Sequence, residues 1–72
     1  MIRIHIKASH RFAARTAVTV AGITRDVPDG WHLRDLIADL EIYEGDLGKV
    51  TVNGKRARMD TRLRRDDEIE LS

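Results

Sequence analysis

Residues 50–71 read VTVNGKRARMDTRLRRDDEIEL, and this run sets the architecture of the chain. Val50 and Val52 alternate with Thr51, the period of two that lets a strand bury one face and wet the other. Asn53-Gly54 follows; both residues tolerate a positive φ, which a type I′ hairpin turn needs at its two central positions. Beyond the turn, Ala57 and Met59 alternate with charged residues, so a second strand is predicted to return beside the first. A polar turn near Asp66-Asp67 leads into Glu68-Ile69-Glu70-Leu71, again with period two. Three short strands and two turns are expected in this last third.

Upstream, Ile2, Ile4 and Ile6 face one way while Arg3, His5 and Lys7 face the other, predicting an opening strand. Ser9 to Arg15 is polar apart from Phe12, which is expected to fold back over the sheet edge. Ala17 to Val27 reads as a second β region, with Val18, Val20, Ile23 and Val27 as its buried candidates. Gly22 interrupts that alternation and predicts a bulge or bend. Pro28-Asp29-Gly30 is a turn, and Pro28 ends the strand because it has no N–H to give the ladder.

Leu33, Leu36, Ile37 and Leu40 then fall at i, i+3, i+4 and i+7, the stripe of a one-faced helix. Asp35 sits in its first turn, where a carboxylate complements the helix dipole. His32 stands where a Ser or Thr cap would serve better. The helix is expected to end around Leu40 to Ile42, and the Tyr43 to Gly48 loop to contain a short helical turn that buries Leu47.

The order is therefore β-β-α-β-β-β. A helix between two hairpin-like halves must lay its apolar stripe across one face of the sheet, giving two layers and one core. The expected fold class is α+β: a single domain over residues 1–72, with a mixed four- to five-stranded sheet and one helix packed on it. The predicted core is Ile2, Ile4, Ile6, Val20, Val27, Leu33, Leu36, Ile37, Leu40, Val50, Val52, Leu63, Ile69 and Leu71.

Composition narrows the chemistry. A chain of 72 residues buries only about 60% of its unfolded surface, so its stability is modest. The absence of cysteine removes disulfides and thiolate chemistry. No stretch reads as a signal peptide or membrane span, and a cytoplasmic location is the expectation. His5, His10 and His32 lack metal-ligand spacing, no serine or threonine has an activating context, and the glycines are scattered turn residues. Neither a catalytic nor a metal nor a cofactor site is expected, and the chain does not read as an enzyme.

The sequence Pro28-x-Gly30, Leu33-Arg34-Asp35-Leu36, Val52-Asn53-Gly54-Lys55, then Leu63, Asp67, Ile69 and Leu71, resembles the ubiquitin-like β-grasp proteins. Within them it is most similar to the small sulfur carriers of molybdopterin and thiamine biosynthesis, the MoaD and ThiS type. The resemblance spans nearly the whole chain. It implies a β-grasp fold and docking on partner enzymes of sulfur transfer or cofactor biosynthesis, including an E1-like enzyme. In those carriers a flexible C-terminal Gly-Gly bears the chemistry, as an adenylate and then a thiocarboxylate. The sequence here closes on Glu70-Leu71-Ser72, so sulfur carriage is expected only if a Gly-Gly tail follows Ser72. The TGS module of tRNA synthetases and stringent-response enzymes has a similar ending. That likeness implies the alternative function, an RNA-binding or regulatory module.

Two surface features stand out. Lys55, Arg56, Arg58, Arg62, Arg64 and Arg65 form a basic cluster, although net charge is only +1. Arg56, Arg58 and Asp60 are expected on one strand face, with Arg62, Arg64 and Arg65 at the following turn. The cluster is a candidate surface for a partner protein or for phosphates. The competing reading is a solvated edge whose arginines pair with Asp66, Asp67 and Glu68. No aromatic residue interleaves with the arginines to stack bases. Trp31 is the candidate partner anchor, its competing role being to close one end of the core.

Overall fold

The computed structural model describes residues 1–13, 18 and 20–72. Its elements are β1 (Ile2–Ala8), α1 (His10–Ala13), β2 (Ile23–Val27), α2 (Leu33–Asp39), β3 (Val50–Val52), β4 (Lys55–Arg56) and β5 (Glu68–Leu71), with a 3₁₀ turn at Glu44–Asp46. The strands form one mixed sheet in the order β2-β1-β5-β3-β4. The first and last strands lie side by side and parallel at its centre, Ile6 opposite Ile69 and Ala8 opposite Leu71. The other pairings are antiparallel.

The register sorts side chains as the alternation predicts. On one face lie Ile2, Ile4, Ile6 and Ala8 of β1, Ile69 and Leu71 of β5, Val50 of β3 and Val27 of β2, all buried. Leu33, Leu36 and Ile37 of α2 join them in one core. Removing these apolar side chains from water supplies most of the folding drive, at roughly 25 cal/mol per Å². The opposite face is polar throughout: Arg3 pairs with Asp26 at 3.2 Å and Lys7 with Glu70 at 3.3 Å.

Three expectations need correction. Val20 is not core: it is 42% exposed, whereas Val18 is fully buried. The second strand begins only at Ile23, after a bend over Val20 and Ala21, and its period of two, counted back from buried Val27, falls on Arg25, Ile23 and Ala21 and not on Val20. The expected strand start at Ala17 lies outside the described residues. Leu40 and Val52 are packed against the core but only partly buried. A second helix, α1, follows β1. Ser9 starts it, its carbonyl accepting the Ala13 N–H at 2.7 Å, and Phe12 turns inward to a buried position.

Two turns frame α2. Before it, the Trp31 N–H donates to Pro28 O at 3.3 Å across Asp29-Gly30, and Gly30 takes φ 99°, the value a type II turn requires there. At the far end of α2, Glu41 adopts φ 58°. Its N–H donates to Ala38 O and that of Ile42 to Ile37 O, the paired bonds of a Schellman motif. The short turn expected in this loop forms at Glu44–Asp46, but Leu47 after it is only partly buried, packed against the core rather than enclosed in it.

Candidate docking surface

The basic cluster grows from the β3–β4 hairpin. Asn53 and Gly54 take φ 54° and 82°, the two left-handed values of a type I′ turn, and return the chain so that Lys55 faces Val52 and Arg56 faces Thr51. Neighbouring residues on a strand project to opposite sides. Arg56 therefore shares the polar outer face with Thr51 and Glu70, while Lys55 lies on the other side at the sheet edge.

The strand does not continue to Arg58 and Asp60, contrary to the sequence expectation of a shared face. Ala57 gives one more bond, its N–H donating to Val50 O at 2.9 Å, and the chain then turns over Arg58–Thr61. The Arg58 N–H donates to Thr61 Oγ1 and the Thr61 N–H to Arg58 O, both at 3.0 Å. The cause lies in α2. The first N–H groups of a helix have no partner within it. Here Leu33 N–H donates to Thr61 O at 2.8 Å and Arg34 N–H to Met59 O at 2.9 Å. The Asp35 carboxylate takes the His32 N–H at 2.9 Å. Capping the helix bends residues 59–61 away from the sheet edge.

From there Leu63 anchors the segment, fully buried, with its N–H on Trp31 O at 2.8 Å. Arg62 and Arg64 flank it and remain exposed. Asp66 takes φ 64°, and Asp67 turns inward to become the only buried charged residue among those described. Its Oδ1 accepts from Asn53 Nδ2 at 2.9 Å and its Oδ2 from the Arg64 N–H at 2.8 Å.

The result is an open groove of about 390 Å³ walled by Lys55, Arg56, Arg62 and Arg64, with Val52, Asn53 and Asp67 among its other lining residues. A second hollow of about 370 Å³ shares Arg62 and Arg64 and adds Arg65, Leu63 and Asp29. Arg58 lines neither. Among the described residues the pairing of the arginines with Asp66, Asp67 and Glu68, on which the competing reading rests, does not occur. Among the described residues, Arg62 alone of the six makes an ion pair, with Asp29 at 3.7 Å.

Trp31 packs against the core and is partly buried. Tyr43 is the most open aromatic among the described residues, 74% exposed, beside a cleft formed with Arg34, Ile37, Ala38, Ile42 and Glu44. At the other end of β5, Ser72 is held on both sides of its peptide. Its N–H donates to Lys49 O, and its carbonyl accepts from Gly48 and Lys49, at 2.9–3.0 Å. Among the described residues no three His, Asp or Glu side chains converge as a metal site, and no helix is long and apolar enough to cross a membrane.

The sequence matches no family model and no curated protein. Solved structures, in contrast, align with it from end to end. A putative molybdopterin converting factor, subunit 1, from Pyrococcus furiosus superposes with a TM-score of 0.79 at 21% identity, covering 99% of this chain and 95% of that one. Small archaeal modifier protein 1 of Haloferax volcanii superposes at 0.75 with 17% identity, over 99% and 95%. A second structure of that modifier gives 0.72 and 19%, over 97% and 92%. The chain has the ubiquitin-like β-grasp fold of these proteins, as the resemblance of its sequence implied.

Proposed function

We propose that this chain is a small docking protein of the MoaD/ThiS type, which meets partner enzymes of sulfur transfer or of molybdopterin- or thiamine-type cofactor biosynthesis, an E1-like enzyme among them. It works in the cytoplasm, performs no catalysis itself and carries no cofactor. The observation that supports this reading is the end-to-end likeness to a molybdopterin converting factor subunit and to a small modifier protein, across 97–99% of the chain. In this reading the polar sheet face and the end of β5 at Ser72 make the contact, and carriage of sulfur requires a Gly-Gly tail beyond Ser72.

Gel filtration and cross-linking of the intact protein with a purified E1-like enzyme, with and without ATP, test the docking. A complex in either condition supports it, and none in either removes it. Mass spectrometry of the protein from its native source separates carriage from docking alone. A thiocarboxylate on a terminal Gly-Gly establishes carriage; a polypeptide ending at Ser72 rules it out.

A further inference from the structure

A run of cationic side chains lines the double groove beside the β3–β4 hairpin. Among the described residues Asp67 is the only acid lining the first hollow, and its two oxygens already accept hydrogen bonds, from Asn53 and from the Arg64 N–H. Of the nearby carboxylates, Glu70 is engaged with Lys7, while Asp60, Asp66 and Glu68 are exposed, make no ion pair with a described residue and line neither hollow. The one pair that reaches the groove, Arg62 with Asp29, joins side chains 62% and 74% exposed at 3.7 Å, a geometry that holds an arginine only weakly. Lys55, Arg56, Arg64 and Arg65 make no ion pair with any described residue.

We infer that this groove is a docking channel for an extended acidic segment of a partner protein. Its form suits a chain rather than a compact solute: two open hollows adjoin, and Arg62 and Arg64 belong to both. Its chemistry suits carboxylates, because a guanidinium presents a planar fork that grips two oxygens at once. Nucleic acid fits less well. Neither hollow is lined by an aromatic ring on which a base could stack. The chain's net charge is only +1, and exposed Asp60, Asp66 and Glu68 confine the positive field to a short stretch. The groove also lies at the hairpin end of β5, one four-residue strand or roughly 13 Å from Ser72. It rests on the docking reading only in that its occupant is a protein, and it needs no tail.

The test is a titration of the isotope-labelled intact protein with a synthetic oligo-glutamate peptide, followed through its amide resonances, with oligouridylate of matched charge as comparator. Shifts centred on residues 52–57 and 61–65 are expected. Affinity should fall about tenfold in Arg56→Glu and hold in Arg11→Glu, an equal charge change on α1. Lys55→Glu serves if Arg56→Glu lowers stability. Absence of groove shifts, equal losses in both variants, or tighter binding of oligouridylate would each overturn the assignment. Any of these alongside an intact complex with the E1-like enzyme would retire the groove and leave the docking reading standing.

Discussion

The side-chain amide of Asn53 donates to Asp67 Oδ1 at 2.9 Å, tying the tip of the β3–β4 hairpin to the residue just before β5. The tie is reciprocal. Asn53 Oδ1 accepts the Glu68 N–H at 2.9 Å, and the Asn53 N–H donates to Glu68 O at 2.7 Å. Asp67 Oδ2 holds the Arg64 N–H, and the Asp67 carbonyl accepts from His5 of β1. One asparagine and one aspartate thus join three strands and set the shape of the basic groove. Asp67→Asn keeps the size but turns an NH₂ toward one of two donors, leaving buried polar groups unmatched. A loss of about 2 kcal/mol is expected in urea unfolding, with Asp67→Ala at least as costly. A change below roughly 0.5 kcal/mol would show that solvent replaces the clamp.

That clamp also marks the limit of what the sequence discloses. Asn53-Gly54 and Asp66-Asp67 each had a local explanation as a turn, and nothing in their spacing links two turns across the chain. The strands were legible because Ile2, Ile4, Ile6, Ile69 and Leu71 repeat with the pleat, and α2 because Leu33, Leu36 and Ile37 follow its turn. The four residues of α1 are too few to show any period. Of the basic cluster, composition exposed the charge but not the groove. Lys55 and Arg56 project to opposite sides, and Arg58 leaves the sheet because α2 needs the Met59 and Thr61 carbonyls.

The Schellman ending of α2 carries a glutamate where glycine is usual. Glu41 at φ 58° brings its Cβ near the neighbouring carbonyl, a strain glycine lacks. Glu41 is exposed and makes no ion pair with any described residue. Glu41→Gly should therefore raise stability by about 0.5–1 kcal/mol, read as a higher urea midpoint with unchanged slope. A fall in midpoint would mean that the entropy of the unfolded glycine chain outweighs the relief of strain.

Gly22 and Gly30 separate backbone strain from crowding. Their φ values are nearly equal, 97° and 99°, but a Cβ on Gly22 would meet the Ile6 carbonyl oxygen at 3.2 Å, while one on Gly30 meets nothing within 4 Å. Gly30→Ala should cost about 1 kcal/mol, the left-handed penalty alone. Gly22→Ala should cost more, by about 1 kcal/mol, because the central strand must give way. Equal costs would show that the bend before β2 moves freely enough to absorb a methyl group.

Val18 and Val20, both buried candidates in the sequence, part company in the structure. Val18 is 1% exposed and belongs to the core cluster, while Val20 is 42% exposed. Val18→Ala leaves a cavity and should lower stability by about 1–3 kcal/mol in thermal or urea unfolding. Val20→Ala should fall within about 0.5 kcal/mol of the parent. The opposite ranking would restore the burial that the sequence suggested for Val20.

Trp31 and Tyr43 divide the roles that flanking aromatics can play. Trp31 packs on the core, and its peptide is fixed at both ends, the N–H to Pro28 O and the carbonyl to the Leu63 N–H. Trp31→Ala should cost about 2–3 kcal/mol, below the full value for a buried ring because part of the indole stays wet. Tyr43 projects into solvent, so Tyr43→Ala should leave stability within about 0.5 kcal/mol. The pair can therefore be told apart in complexes with an E1-like enzyme. If Trp31 anchors a partner, Trp31→Phe, which keeps an aromatic ring in the core, should weaken the complex at unchanged fold. Weakening by Tyr43→Ala alone would move the anchor to the cleft that Tyr43 forms with Ile37 and Ile42.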